Sequence, residues 1–262
     1  MKINILTLFP DMFQGLIDNS IVKRAISKGV VTINIINIRD FTLDKYNRVD
    51  SAPIGGGAGL IMKCQPIVDA LKSIKENSHK ILLSPRGETY SQKKAISLSK
   101  LDNITLICGH YEGTDERIND YVDELISIGD YILTGGEIGS MAIADSIIRL
   151  LDGAINSDSL IEESFTTNLL EYPQYTEPYD FDNKLVPDIL YSGNHEAIEK
   201  YRKKEALRLT KKYRPDLFSN YELSKQDKKL LSELENNIAE PKWYKDALEK
   251  GKKFIKNKNL LF

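Results

Sequence analysis

The sequence predicts an α/β fold: a mostly parallel sheet with helices on both faces, followed by a small helical C-terminal domain. Three observations carry this reading. Short runs rich in Ile, Val, Leu and Thr recur through the first 150 residues, each bounded by turn residues. Helical patterns lie between these runs, and that alternation marks strand–helix–strand units whose parallel strands need cover on both faces. Beyond a Pro-punctuated stretch (Pro173, Pro178, Pro187) only helical patterns remain.

The elements follow in order. Lys2–Leu8 (KINILTL) holds one Lys and is broken by Asn4 and Thr7, so the N-terminus reads as a first strand and not as a secretory signal. Ser20 caps a helix that runs to Lys28 and stops at Gly29. Further strands are expected over Val31–Asn37, Lys80–Ser84, Asn103–Cys108 and Leu125–Ile128. Gln65–Glu76 carries Ile67, Val68, Leu71 and Ile74 on one helical face, and Glu137–Leu151 reads as a long apolar helix. Residues 1–151 are thus read as one domain. Residues 152–168, rich in Asp, Asn, Ser, Glu and Thr, read as a flexible interdomain linker. Residues 169–262 read as the helical domain, with helices over Asn194–Tyr213, Ser224–Asn237 and from about Pro241.

Composition narrows the class. At 262 residues and 41% hydrophobic content the chain is large enough to bury a full core. Its two cysteines, Cys64 and Cys108, cannot build a disulfide framework or a multi-cysteine zinc site and fit a reducing compartment. No apolar run approaches the ~18 residues of a membrane span. The expected location is the cytoplasm. With a net charge of −2, any polyanion must be met by a local basic patch.

Familiar nucleotide and zinc motifs are absent: no G-x-G-x-x-G after a strand, no G-x-x-x-x-G-K-[ST], no H-E-x-x-H and no C-x-x-C. Glycine-bearing loops take their place. IGGGAGL (Ile54–Leu60) follows a segment containing Asp50, SPRG (Ser84–Gly87) follows the KILLS strand, GHYEGTDER (Gly109–Arg117) follows NITLIC, and IGDYILTGGE (Ile128–Glu137) follows LISI. Glycine lets a backbone approach a ligand closely, and the last three loops succeed three strands, so they are expected to build one pocket.

Taken together, YNRVDSAPIGGGAGLIMK, LLSPRGE, ICGHYEGTDERI, SIGDYILTGGE, EESFTTNLLEYPQYTEP and LVPDILYSGNHEAI resemble the bacterial tRNA (guanine-N1)-methyltransferases, TrmD-type enzymes of the SPOUT superfamily. The resemblance runs colinearly to about residue 215. It implies a deep trefoil knot, a homodimer with the active site at the subunit interface, and S-adenosylmethionine as methyl donor. By motif the cofactor would contact Ser84, Pro85, Gly109, Tyr111, Glu112, Ile128, Gly129, Asp130, Tyr131, Ile132, Leu133, Gly135 and Gly136. An apolar slot from Ile128, Ile132 and Leu133 suits adenine.

The reaction implied is methyl transfer to N1 of the guanosine just 3′ of the anticodon. N1 carries a proton that a base must remove, while charge spreading to O6 needs a cation. The resemblance assigns the base to Glu163 and the cation to Arg149, with Glu162 and Asp158 as alternative bases. The chain departs from the family pattern at Glu163, where Asp is usual, and at His110 and Glu177, where Arg is usual. Mg²⁺ is also implied, although the sequence offers no dedicated carboxylate cage. A knotted methyltransferase with another RNA target and a non-catalytic RNA-binding protein are the alternative readings.

Partners are expected to be tRNA and a second copy, not DNA or membrane. Glu199–Asp216 sets eight basic residues against three acidic ones, a local +5, and Lys200, Arg202, Lys203 and Arg208 are its leading phosphate contacts. Tyr201 and Tyr213 are placed to stack on bases. The resemblance adds Asp50, Gly55, Gly59 and His110 on the RNA side. His79 and His195 read as structural, His195 as a helix starter.

Overall fold

Five of the expected apolar runs pair side by side into one parallel sheet. They are β1 (Lys2–Thr7), β2 (Thr32–Asn37), β5 (His79–Thr89), β6 (Asn103–Cys108) and β7 (Glu124–Ser127), in the order β2-β1-β6-β5-β7. Between β2 and β5 a small antiparallel pair, β3 (Asp50–Ser51) and β4 (Ile61–Met62), carries the IGGGAGL loop. The helices of this part are α1 (Gln14–Ile17), α2 (Ser20–Ser27), α3 (Cys64–Ser73), α4 (Gln92–Leu98) and α5 (Glu137–Ile148). The computed structural model describes residues 1–156, 164–165 and 168–258. The chain divides into two compact units, Met1–Ser159 and Leu160–Phe262.

The period of two along each strand decides which helix each side chain meets. Ile3 and Ile5 of β1, Ile81 of β5, and Ile104 and Leu106 of β6 share a buried cluster with Val22 and Ala25 of α2 and Ile143 and Ile147 of α5. Their neighbours Leu6, Leu82 and Ile107 point the other way, onto Ile67, Val68 and Leu71 of α3. Both faces are therefore dry, as an all-parallel sheet requires. Buried Cys108 has its thiol pushed far up from the usual range by desolvation, as expected of a packing residue.

The structure adds short elements the sequence reading did not name, among them α1, β3 and β4, and alters it at β5 and α4. The strand expected to end at Ser84 continues to Thr89, and the SPRG segment is a bulge inside it, because Leu83 and Glu88 both oppose Ile126 of β7. Helix α4 is an addition. Ser91 caps it by accepting the Lys94 N–H at 3.3 Å, and burying only Ala95 and Leu98 leaves too faint an apolar stripe to read in advance.

Gly87 closes the bulge where β5 rejoins β7, and a Cβ there would overlap the backbone of Leu125 and Ile126. Gly87→Ala is expected to cost about 1–3 kcal/mol by overpacking, a fall in thermal midpoint of roughly 2–4 °C per kcal/mol. Gly15→Ala in α1, which meets open space, serves as the control and should leave the midpoint level or slightly higher. Equal midpoints for the two variants in differential scanning fluorimetry would contradict the strand packing.

The second unit holds a two-stranded hairpin, β8 (Asp180–Phe181) with β9 (Lys184–Leu185), and four helices among the described residues: α6 (His195–Tyr213), α7 (Pro215–Ser219), α8 (Lys225–Glu235) and α9 (Lys242–Lys258). Asn194 caps α6 by accepting the Ala197 N–H at 3.2 Å, which puts His195 at the first helical position. Ser224 and Asp227 form a capping box on α8. Leu207, Leu230 and Leu231 pack with Leu169, and Ala247 of α9 packs with Ile189 and Ala197. Among the described residues no helix is long and apolar enough to cross a membrane.

Candidate active site

The strand ends locate the site. Beyond the C-terminal ends of β6 and β7, beside the bulge of β5, lies a cavity of about 660 Å³, in the size range of small-molecule sites. The three loops expected to cooperate do meet here. Every cofactor candidate named above lines the cavity except Asp130, which is exposed and outside the lining. Leu83, Ile126, Ile128 and Leu133 give it an apolar side.

Backbone contacts hold the walls together. The Gly136 N–H donates to the Gly109 carbonyl at 2.7 Å, and a Cβ on Gly136 would lie 2.8 Å from the Cα of Cys108. His110 and Gly135 form an isolated antiparallel bridge. Tyr111 adopts a φ of 59°, which turns the chain sharply after β6. The Tyr131 hydroxyl donates to the Ile128 carbonyl at 3.3 Å.

Beneath this wall, the Glu137 carboxylate is buried and accepts the Thr7 hydroxyl at 2.9 Å. Nδ1 of His110 lies 3.8 Å from the other Glu137 oxygen, and its ring sits between Phe9 and Tyr111 with centroids 4.8 and 4.9 Å away. His110 is therefore a wall of the cavity, next to a buried acid. His79 is structural, as expected: its Nε2 is 2.8 Å from Glu124, which also pairs with Lys94 at 2.7 Å.

Of the remaining RNA candidates of this unit, Asp50 and Gly59 adjoin residues that line the cavity. Asp50 and Arg39 flank the Tyr111 hydroxyl, whose pKa is raised by desolvation and by Asp50, with Arg39 opposing. Gly59 packs so closely on Glu112 that a Cβ would overlap that side chain, and the Glu112 N–H donates to the Leu60 carbonyl at 3.0 Å. Gly55 lies in the exposed glycine loop with a φ of 93°. Reading the motifs residue by residue missed Arg86 and Glu116, which also line the cavity. Their only signal was position inside two loops already singled out.

A family model described as tRNA (Guanine-1)-methyltransferase TrmD matches residues 1–220. The chain belongs to this family. It is 54% identical over 234 residues to the tRNA (guanine-N(1)-)-methyltransferase of Clostridium tetani (strain Massachusetts / E88), covering 88% of this chain and 98% of the relative. Proteins of the same name from Clostridium botulinum are 51% identical over 88% of this chain and 98% of the relative (strain Eklund 17B) and 50% identical over 91% and 100% (strain 657).

For this TrmD-family chain the catalytic assignments fall unevenly on the structure. Half-buried Arg149 caps the C-terminus of α5, its N–H donating to the Asp145 carbonyl at 3.1 Å. Glu163, Glu162 and Asp158 lie outside the described residues. Among the described residues no group of three or more His, Cys, Asp or Glu side chains is placed to hold a metal ion.

Several cations of the basic stripe on α6 have partners within the unit. Lys204 is buried against Glu233 at 3.2 Å and donates to the Ile238 carbonyl at 3.0 Å. Arg208 pairs with Glu205, Lys211 with Glu235 and Arg214 with Asp216. Lys200, Arg202 and Lys203 lie over the rings of Trp243, Tyr172 and Tyr221 at 4.7–4.9 Å. Tyr201 is not free to stack on a base: it packs beside Tyr244 at 6.3 Å, and burial pushes its hydroxyl pKa far up. Tyr213 remains exposed. Glu205 and Asp216 already count in the local +5, but Glu233 and Glu235 of α8 lie outside that window and fold back to offset two of the five net charges.

Proposed function

We propose that this chain transfers the methyl group of S-adenosylmethionine to N1 of the guanosine immediately 3′ of the anticodon in tRNA, working as a cytoplasmic homodimer. The observation that carries the reading is the convergence of three glycine-bearing loops on one cavity in a chain of this family. The names of the relatives support tRNA as substrate and guanine N1 as target.

The donor set fits the cofactor. Ile128, Ile132 and Leu133 offer an apolar slot, and Gly109, Gly135 and Gly136 line the same cavity, the last two where a Cβ would strike the protein's own wall at His110 and Glu137 or at Cys108. When bound, S-adenosylmethionine supplies an electrophilic methyl group on a sulfonium and leaves as S-adenosylhomocysteine. The chain provides the rest. Glu163 accepts the N1 proton and the Arg149 guanidinium meets the charge growing on O6.

Distance along α5 supports the dimer. Gly139 of α5 lines the cavity, while Arg149 lies ten residues further along, about 15 Å of helical rise. Arg149 supplied by a second copy is therefore the reading we adopt.

The test is transfer of labelled methyl to two tRNA transcripts that differ only in G or A directly 3′ of the anticodon. The expected result is label on the G transcript alone, recovered as N1-methylguanosine. Label on both would reassign the target, and label on neither would leave an RNA-binding protein without the activity.

A further inference from the structure

We infer that Arg86 recognises the carboxylate at the amino-acid end of the cofactor, with Glu116 holding the guanidinium at the cavity mouth until the ligand arrives. This rests on the cofactor reading above and adds to it a residue that selects one chemical feature of the ligand.

The argument begins with charge. Among the described residues lining the cavity, Arg86 is the one with a permanent positive charge, and Glu112 and Glu116 are the carboxylates beside it. S-adenosylmethionine carries a nucleoside, a sulfonium and a free amino acid, so it presents one anionic group. That group cannot enter the apolar side formed by Leu83, Ile126 and Ile128 without losing its hydration uncompensated. At the mouth, Arg86 matches a carboxylate by its two-pronged geometry, leaving Glu112 for the ammonium group.

The bulge aims this side chain. The Ser84 hydroxyl accepts the Arg86 N–H at 3.3 Å, and Gly87 sits flush on the backbone of β7, so the turn presents residue 86 at the rim. Nη2 of Arg86 then meets Oε2 of Glu116 at 2.8 Å, with the two side chains 58% and 71% exposed. A pair this exposed adds little stability, so exchanging one carboxylate for another costs little. Glu116 does not lose its last partner in the exchange, because Asn119 also donates to it, at 2.7 Å.

Calorimetric titration with S-adenosylmethionine and with decarboxylated S-adenosylmethionine, which lacks only the carboxylate, tests the assignment. Arg86→Ala is expected to weaken S-adenosylmethionine about tenfold, the scale of one charge-assisted hydrogen bond, and to leave the decarboxylated ligand unchanged, which also shows that the variant is folded. Arg86→Lys should restore part of the loss, and Glu116→Gln should tighten S-adenosylmethionine by removing its competitor. Equal weakening of both ligands, or of neither, overturns the role of Arg86 alone. Failure of the unaltered chain to bind S-adenosylmethionine overturns the cofactor reading itself.

Discussion

Glu163→Gln is expected to lower methyl transfer by about 10²–10⁴-fold while S-adenosylmethionine and tRNA still bind. N1 of guanine is protonated at neutral pH, and its lone pair becomes available to the methyl group only as the proton leaves. A Gln amide has the size and hydrogen-bonding reach of Glu but cannot take that proton. The loss should therefore appear in the single-turnover rate with both ligands saturating, and not in either dissociation constant. Glu163→Asp is the informative companion, since it restores the residue usual in the family on this chain's linker and should keep measurable turnover. Unchanged turnover in Glu163→Gln would move the base to Glu162 or Asp158.

Lys204→Ala is expected to be the most destabilising change in the basic stripe of α6. Removing one member of a buried ion pair typically costs about 3–5 kcal/mol, because the other charge is left without its partner. Here, among the described residues, the Glu233 carboxylate would keep the Trp243 indole N–H at 3.2 Å as its side-chain donor. Trp243 is the single tryptophan of the chain, so its fluorescence reads the urea transition of this unit directly. Lys204→Met keeps the apolar stem and should still destabilise, while Lys204→Met with Glu233→Leu should recover much of the loss. Exposed Lys212, over the Tyr213 ring at 4.7 Å, is the contrast. Lys212→Ala should leave the urea midpoint in place, weaken tRNA binding and reduce its salt slope by about one. A midpoint unchanged in Lys204→Ala would mean that the charge is solvated and the stripe is a plain phosphate face.

The two variants separate what was readable from what was not. Glu163 is proposed from its Glu-Ser-Phe setting within a run of colinear motifs, a signal independent of packing. Lys204 was grouped with its basic neighbours, since nothing within one helix distinguishes a lysine that faces solvent from one that faces Glu233. The same division applies to Tyr201 and Tyr213, one packed on Tyr244 and the other exposed.

The sheet strands and the major helices were legible because their signals are local. Alternating apolar residues assign the two faces of β1, β5 and β6, and Asn194 and Ser224 cap helices through bonds that span three residues. The loop motifs likewise marked the cavity, because its walls pack backbone against backbone and need glycine wherever a Cβ would collide, as at Gly136 against Cys108. By itself the sequence thus determined the parallel α/β architecture, the family and the walls of the site. Only the tertiary structure decided that SPRG is a bulge within β5, that Arg86 meets Glu116 at the cavity mouth and that Lys204 is buried on Glu233. Each joins residues distant in the chain, and a charge or a strand register takes its meaning from the partner that packing brings to it.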